Sequence, residues 1–421
     1  MPEGVSSTGK ARHPYPIYIK KAKGTRLVDV DGNEYVDYLL SFGALILGHA
    51  HPAVMKRVEA QVELGLAFGA PTEVEAELAE KISEHVKSAE LLRFTNSGTE
   101  AVNYALRVAR GYAGRDKIAK FEGGFHGNFD NVLVSITAQS AQPASVAKPS
   151  NIPYSKGIGT NTMRDVLTLP FNDSEVAASL IEENADELAA VVVEPVQGFS
   201  GTIPAGKKFL STLRKVTRDE GVVLIFDEVQ TAFRLSLGGA QEYYGVAPDM
   251  VVLGKIIGGG LPVGAYGGRR EIMETLMASG KRGTVNRVFQ SGTFNGHPVT
   301  MAAGLATITE LENDPARTYS ALNERGRRVR EGLASIMKEH KTEAQVTGVG
   351  SFFNVFFCDR PVTSVRDAVA ADSSKSEAFY TSLLRRGIFG PTHYLSTVHT
   401  DDDVKFFLNA ADRAVSEMAA R

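Results

Sequence analysis

The sequence contains no tryptophan and a single cysteine, Cys358, among its 421 residues. One cysteine excludes an intramolecular disulfide, which suits a reducing compartment. Basic residues are not in excess, because the formal net charge is −3, so nothing favours nucleic acid or an anionic membrane as a partner. No stretch approaches the ~20 apolar residues of a membrane-spanning helix, and the first residues lack the layout of a signal peptide. We therefore expect a cytoplasmic globular protein.

Motifs for metals and nucleotides are also missing. The nine histidines show no metal-ligand spacing, so no metal site is predicted. No Gly-x-Gly-x-x-Gly follows a candidate strand, which disfavours a nicotinamide dehydrogenase. The segment from Gly201 to Lys207 fits the first part of a Walker pattern, but Lys208 stands where Ser or Thr must bind magnesium. Cys358 could be a nucleophile, but it follows an apolar strand-like run, which favours a buried structural role.

Short apolar runs alternate with amphipathic helical patterns over most of the chain. The alternation predicts an α/β fold, with a mostly parallel sheet covered by helices on both faces. We predict that residues 61–308 form the large domain, and that residues 1–60 and 309–421 form a smaller α+β domain. Asp31-Gly32-Asn33 predicts a hairpin turn near the start. Residues 137–170, with four prolines and little periodicity, predict a long loop or lid.

Polar residues follow each predicted strand, at the end where parallel sheets bind their ligands. Ser97, Gly98 and Thr99 open a helix predicted over residues 98–113. Their hydroxyls, their free amides and the helix dipole could bind a phosphate, and Gly98 would let a bulky anion approach the backbone. The alternative is that Ser97 and Glu100 only form a capping box. From these residues alone, both interpretations stay open.

A carboxylate and a lysine end two other predicted strands. Asp227 follows five apolar residues, and a buried carboxylate needs a partner. A protonated ring nitrogen would serve, and so would an internal salt bridge. Lys255 lies between a buried strand and the glycines 258–260. An apolar setting favours the neutral amine, the nucleophile needed to form an imine. Alone, Lys255 could be an ordinary solvated lysine, so the hypothesis depends on the set of strand-end residues.

Together these residues resemble the class III, fold type I aminotransferases that use pyridoxal 5′-phosphate (PLP), and within them the glutamate-1-semialdehyde 2,1-aminomutase branch. The matching segments, in family order, are Asp29–Tyr35, Gly48–Pro52, Asn96–Ala101, Phe121–Gly127, Ile225–Gln230, Leu253–Gly268 and Ser291–Pro298. The lysine segment is the most specific. The separation of Asp227 from Lys255 (255 − 227 = 28) is also similar to the family's.

The resemblance implies a role for each matching residue. Lys255 would hold PLP as a Schiff base and then carry the proton, while Asp227 would keep the pyridine nitrogen protonated. The other residues implied to bind the cofactor are Ser97, Gly98 and Thr99 at the phosphate, Phe125 and Val229 on the two ring faces, His126, Gln230 at the 3′-oxygen, Glu194 near the substrate entrance, and Thr293 from a neighbouring subunit. The last of these implies a homodimer with shared active sites.

Departures from the aminomutase pattern lie on the substrate side. Phe125 stands where a tyrosine is usual, and the segment from Gly390 to Ser396 is shorter than the family's and lacks its gating glutamate. Lys21 occupies the place of an arginine that would bind the substrate carboxylate, and lysine lacks the bidentate fork of arginine. Lys21 and Glu194 are the candidate substrate contacts.

These departures favour an intermolecular aminotransferase over the alternative, an aminomutase with both reacting carbons in one molecule. The aminotransferase would move an amino group from an amino acid, β-amino acid or amine to a keto acid, ketone or aldehyde. A third hypothesis, a non-catalytic binding protein on the same fold, predicts loss of Lys255 or Asp227, and both are present. The sequence thus predicts a PLP enzyme for small molecules and leaves the donor open.

Overall fold

The computed structural model describes residues 1–12, 15–137, 149–277, 287–390 and 393–419. The strands are β1 (Ile19–Lys23), β2 (Arg26–Asp29), β3 (Glu34–Asp37), β4 (Leu91–Thr95), β5 (Lys117–Phe121), β6 (Val166–Leu169), β7 (Leu188–Val193), β8 (Val196–Gln197), β9 (Ile203–Pro204), β10 (Val223–Asp227), β11 (Met250–Gly254), β12 (Gly264–Gly268), β13 (Gln345–Thr347), β14 (Phe352–Phe356), β15 (Ile388–Phe389) and β16 (His393–Tyr394).

The helices are α1 (Leu40–Gly43), α2 (Pro52–Leu64), α3 (Glu73–His85), α4 (Gly98–Ala113), α5 (Ser174–Glu183), α6 (Lys207–Asp219), α7 (Gly239–Tyr244), α8 (Arg270–Met273), α9 (Pro298–Glu312), α10 (Pro315–Glu339), α11 (Val365–Val369), α12 (Ser373–Arg385) and α13 (Asp401–Ala419). The short α1 is a left-handed turn, since Leu40, Ser41 and Phe42 all have positive φ. In the described part of the chain, no helix combines the length and the apolar character needed to cross a bilayer.

A seven-stranded sheet lies at the centre, in the order β4-β12-β11-β10-β7-β5-β6. Neighbouring strands from β11 to β6 are parallel. Only β12 runs the other way, antiparallel to both β4 and β11. The predicted α/β class with a mostly parallel sheet is confirmed. Because six of the seven strands point in one direction, their carboxyl ends lie along one edge of the sheet.

Helices cover both faces of this sheet, and β10 shows how its side chains divide between them. Val223 and Ile225 pack in the cluster that contains α4, whereas Leu224 and Phe226 pack with α5 and α6 on the other face. Alternation along the strand puts Asp227 on the α4 face, with Val223 and Ile225. A strand buried on both faces is therefore uniformly apolar until its last residue.

The N-terminal hairpin forms as predicted, with β2 antiparallel to β3 across the turn at residues 30–33. Asp29 closes the turn, because its Oδ1 accepts hydrogen bonds from the amides of Asp31 and Asn33. Near the other end of the chain, β15 joins the same sheet beside β3, in parallel. The domain boundaries at residues 60 and 308 remain predictions.

The predicted loop over residues 137–170 is partly wrong. Residues 138–148 lie outside the described part of the chain. Further along, a 3-10 helix spans Thr162–Asp165, and β6 pairs in parallel with β5 at the edge of the central sheet. The strand Val166–Leu169 is only four residues long, and the prolines of residues 137–170 lie outside it. The proline-rich composition of the whole stretch therefore did not predict this strand, which the long-range pairing with β5 stabilises.

Candidate active site

Five strands of the central sheet have their carboxyl ends on the same side of the sheet, and the residues at or after those ends meet there. The residues delivered are Ser97 to Thr99 after β4, Phe125 and His126 after β5, Glu194 after β7, Asp227 at the end of β10, and Lys255 after β11. Parallel direction alone makes them neighbours, since each crossover returns the chain to the opposite edge. The contacts between them are specific, and they begin with the carboxylate.

Asp227 is buried, with 5% of its surface exposed. Its Oδ2 lies 2.8 Å from Nδ1 of His126, and its Oδ1 accepts a 3.1 Å hydrogen bond from the amide of Val229. Burial lowers the pKa of His126, so a neutral ring donates from Nδ1. Among the described residues Asp227 has no lysine or arginine at ion-pair distance, which argues against the internal salt bridge. A carboxylate accepts about four hydrogen bonds, which leaves capacity for a ring N–H.

Lys255 opens a 3-10 helix directly after β11 and is partly buried. Its φ is +49°, in the left-handed region, where a residue with a side chain is strained by roughly 1–2 kcal/mol. Burial lowers the pKa of Lys255 to about 8, against the opposite influence of Glu194 and Asp227. Near neutral pH the amine is therefore a far better nucleophile than an exposed lysine.

Glu194 is a second buried carboxylate beside Asp227. Its two oxygens accept hydrogen bonds from the amides of Phe125 (2.7 Å) and Gly198 (3.2 Å). Burial, together with the charge of Asp227, raises the pKa of Glu194 to about 8. Burial thus moves Glu194 and Lys255 toward their neutral forms, and the site can exchange protons near neutral pH.

The turn from Ser97 to Thr99 has the geometry of an anion cup. Ser97 caps α4, since its Oγ accepts from the amide of Glu100 at 3.2 Å, and Thr99 Oγ1 accepts from the amide of Asn128 at 3.3 Å. A hydroxyl that accepts a hydrogen bond still has its own proton to donate. The capping interpretation and the phosphate interpretation are therefore compatible, because both hydroxyls and the first amides of α4 remain donors.

Val229 lies between the cup and the lysine. A Cβ added to Gly98 would stand 3.1 Å from Val229 Cγ2, and one added to Gly254 would stand 3.2 Å from Cγ1. Phe125 comes from the loop after β5, and its ring stacks on Phe199 with centroids 5.1 Å apart. Gln230 follows Val229 in the loop after β10, and its Oε1 accepts a hydrogen bond from the hydroxyl of Tyr394. The apolar and amide groups expected around a flat ring are thus present.

Two predicted residues lie apart from this cluster. Thr293 is exposed, in a segment held near the cup by a 2.9 Å hydrogen bond from Asn96 to Asn295. Lys21 is exposed on β1 and lines a cavity of about 550 Å³ with Arg12. No other predicted site residue is among the described residues that line this cavity. Their roles, in a partner's site and toward a substrate, remain predictions.

The structure adds Lys120, which the sequence analysis missed. Lys120 is fully buried on β5, and its Nζ donates to the carbonyls of Val134 (2.6 Å) and Phe121 (3.1 Å). Burial lowers the pKa of Lys120 to about 7, and its charge helps to lower the pKa of His126. The available signal was a lysine inside an otherwise apolar strand, Ile118 to Phe121.

Comparison with known proteins places this geometry in a family. Residues 7–396 match the description "Aminotransferase class-III". The chain belongs to the class-III aminotransferase family. A glutamate-1-semialdehyde 2,1-aminomutase from Methanothermobacter thermautotrophicus is 44% identical over 421 residues, covering 99% of this chain and 96% of the relative. The family is PLP-dependent, and this chain is accordingly a class III PLP enzyme that acts on small molecules.

Solved structures of both kinds of enzyme share the fold. An omega-transaminase from Sphaerobacter thermophilus has a TM-score of 0.93 at 40% identity, covering 100% of this chain and 95% of that one. A glutamate-1-semialdehyde aminomutase from Pseudomonas aeruginosa, in complex with the pyridoxamine form PMP, has a TM-score of 0.85 at 25% identity, covering 96% and 88%. Since one fold carries both reactions, likeness of shape does not separate them.

The preference for an intermolecular aminotransferase is corrected by the sequence relatives. Proteins 40–45% identical over 94–99% of this chain are named glutamate-1-semialdehyde 2,1-aminomutase. The departures at Phe125, Lys21 and residues 390–396 do not outweigh this similarity. Phenylalanine keeps the stacking surface of tyrosine, and lysine keeps the positive charge of arginine, so neither substitution requires a different reaction.

The residues at the sheet edge fit PLP. Asp227 has an unused acceptor position for a ring N–H, the α4 cup presents hydroxyl and amide donors for a phosphate, and Lys255 has an amine of lowered pKa. The side chains of Phe125 and Val229 supply apolar surface between these polar groups. Val229 connects these groups, since its amide donates to Asp227 and its side chain lies against Gly98 and Gly254.

Proposed function

We propose that this chain is a glutamate-1-semialdehyde 2,1-aminomutase, which exchanges an amino group and a carbonyl between neighbouring carbons of one substrate molecule. The observation that carries the proposal is the full-length similarity to aminomutases at 40–45% identity. Lys255, with the buried carboxylates Asp227 and Glu194, supports it, because isomerisation requires protons to leave one carbon and return to another. No second substrate is needed to balance the atoms.

In this mechanism the bound PLP supplies an electron sink for negative charge at the reacting carbon. Asp227, fixed by His126 and the Val229 amide, holds a negative charge where the ring nitrogen would bind. Lys255 Nζ would anchor the cofactor and then carry the proton between the substrate carbon and C4′ of the cofactor. A lowered pKa suits that task, since general bases work best when their pKa lies near the working pH.

An exchange within one molecule also requires that the half-reacted substrate stays bound. Phe199 stacks on Phe125, and Tyr154 meets Phe199 edge-to-face at 6.4 Å. These aromatic rings would cover the outer side of the cofactor and exclude water from it. We propose that this cover retains the substrate between the two halves of the reaction, in place of the gating glutamate that residues 390–396 lack.

The substrate carboxylate is assigned to Lys21. Lys21 lines the 550 Å³ cavity with Lys10, Arg12 and Lys20, against one carboxylate, Asp37, and this excess of positive charge favours an anion. Lysine offers a point charge without the bidentate geometry of arginine, so binding would be weaker and less selective. Lys21→Met should raise KM about tenfold and leave kcat nearly unchanged, because the contact is the same in ground and transition states. Lys23→Met on the same strand is the matched control.

We also propose a homodimer in which Thr293 reaches the phosphate of the partner's cofactor. The segment around Thr293 is exposed and carries the exposed rings of Phe289 and Phe294. Apolar surface of this kind favours a protein interface. Sedimentation of the holoenzyme should give a dimer. Thr293→Ala should weaken PLP binding and leave the dimer intact. A monomer with full activity would exclude this assignment.

The proposed reaction is tested with purified holoenzyme and glutamate 1-semialdehyde. We expect formation of 5-aminolevulinate with no added amino donor or keto acid, and none from Lys255→Ala. A parallel panel contains β-phenylalanine, alanine and a plain amine, each with pyruvate as acceptor. If the enzyme converts a panel donor to its keto product but does not isomerise the semialdehyde, the proposal is overturned. Isomerisation at a rate far above any panel reaction would support it.

A further inference from the structure

Strand β16 contributes a side chain that reaches the loop after β10. Tyr394 is buried on β16, and its hydroxyl donates a 3.0 Å hydrogen bond to Oε1 of Gln230. The two residues are 164 positions apart in the chain. Gln230 is the residue assigned to the 3′-oxygen of the cofactor ring. Tyr394 thus contacts a residue that the proposed function places at the cofactor.

The Gln230 amide is confined between two neighbours. On one side it packs against Gly198, where an added Cβ would stand 2.1 Å from Nε2 and 2.4 Å from Oε1. On the other side Tyr394 occupies Oε1 as a donor. The N–H groups of Nε2 are then what Gln230 can offer to a ligand. A negatively charged oxygen only accepts hydrogen bonds, so this orientation suits the 3′-oxygen, and the reversed amide would repel it.

Tyr394 is itself held in place by Arg234, a fully buried residue four positions after Gln230. The guanidinium lies 5.4 Å from the centroid of the Tyr394 ring and donates to the carbonyl of Leu395 at 2.9 Å. It also donates to the carbonyl of Gly43 at 2.7 Å, at the end of the left-handed turn. In the described part of the chain no carboxylate pairs with Arg234, so aromatic and carbonyl contacts compensate its charge.

We propose that Tyr394 is a positioning residue that sets the orientation of the Gln230 amide and thereby tunes the proton affinity of the bound cofactor. The inference rests on the proposed function only in that Gln230 contacts the 3′-oxygen. A hydrogen-bond donor to the 3′-oxygen stabilises negative charge on it. The Lys255 nitrogen joined to the cofactor beside that oxygen then binds its proton less tightly. The other charged or titratable groups around the site are Asp227, His126, Glu194 and Arg234. Of these, Arg234 is the one on which Tyr394 acts directly.

The test is the Tyr394→Phe holoenzyme without substrate. Phenylalanine keeps the ring that packs against Arg234, so the fold is retained. The pH midpoint of the absorbance change of the bound cofactor should rise by about 0.5–1 unit, because a donor to a charged oxygen is lost or misdirected. The control is Tyr380→Phe, which removes the hydroxyl of a half-buried tyrosine, bonded to Asn354 Oδ1 at 2.8 Å. Its midpoint should match that of the wild type.

A double variant separates positioning from a general structural effect. If Tyr394 acts through Gln230, then Tyr394→Phe should add nothing to the shift already caused by Gln230→Ala. Additive shifts, an unchanged midpoint or a downward shift would overturn the inference. Failure to isomerise glutamate 1-semialdehyde would reject the proposed function, but the titration of the resting holoenzyme would still decide the role of Tyr394.

Discussion

The amine of Lys255 offers a quantitative test of the candidate site, because its protonation decides how fast the apoprotein takes up PLP. Burial lowers its pKa from 10.5 to about 8. At pH 7 an amine of pKa 8 is about 9% neutral, whereas one of pKa 10.5 is about 0.03% neutral. Only the neutral amine attacks an aldehyde. The apoprotein should therefore react about 300-fold faster at pH 7 than an exposed lysine of equal intrinsic reactivity.

The assay mixes apoprotein with PLP in a stopped-flow instrument and follows the absorbance of the product between pH 6.5 and 10. The rate should rise about tenfold between pH 7 and 9 and then level off, because the amine is then mostly neutral. N-acetyl-lysine serves as the reference amine, and its rate should rise about 100-fold over the same interval and continue to rise. Dividing the two rates removes the ionisation of PLP itself.

Glu194→Gln refines the same test. Glu194 loses its proton as the pH passes about 8, and its negative charge then raises the pKa of Lys255. Glu194→Gln should therefore lower that pKa and move the plateau to lower pH. Glu187→Gln, at an exposed glutamate, should leave the profile in place. A rate that still rises tenfold per pH unit above pH 9 would refute the buried amine. A plateau that moves to higher pH in Glu194→Gln would refute the assigned charge coupling.

Three further outcomes are expected. Asp227→Asn leaves a neutral group opposite the ring nitrogen and should lower kcat by about 10²–10³ in steady-state assays; unchanged kcat would contradict its role. Gly98→Ala puts a Cβ 3.1 Å from the neighbouring valine and should raise the Kd for PLP about tenfold by fluorescence titration, whereas normal affinity would show that the cup is loose. Arg366 pairs with buried Glu122 through two hydrogen bonds of 2.6 and 2.9 Å, so Arg366→Ala should lower the free energy of unfolding by about 3 kcal/mol in denaturant titrations. The control Arg327→Ala, in an exposed ion pair, should lower it by under about 1 kcal/mol. Equal losses would contradict the burial argument.

The sequence by itself determined the sheet and the edge at which the chemistry lies. Strands buried on both faces must be continuously apolar, so their ends are marked by the first polar residue, as at Asp227 and Lys255. Parallel connection then makes those ends neighbours without knowledge of any contact. The helix from Gly98 to Ala113 was also predictable, since its cap and its apolar stripe are local in sequence.

Tertiary structure decided what depends on residues far apart in the chain. The pairing of β6 with β5 turned a proline-rich stretch into an edge strand. The bond from Lys120 to the carbonyl of Val134 and the bond from Tyr394 to Gln230 have no local signature, since each forms only when separate segments pack together. Local pattern predicted which residues end the strands, and the family resemblance implied their cofactor roles. The substrate side is assembled from distant segments, and single substitutions there did not reveal the reaction.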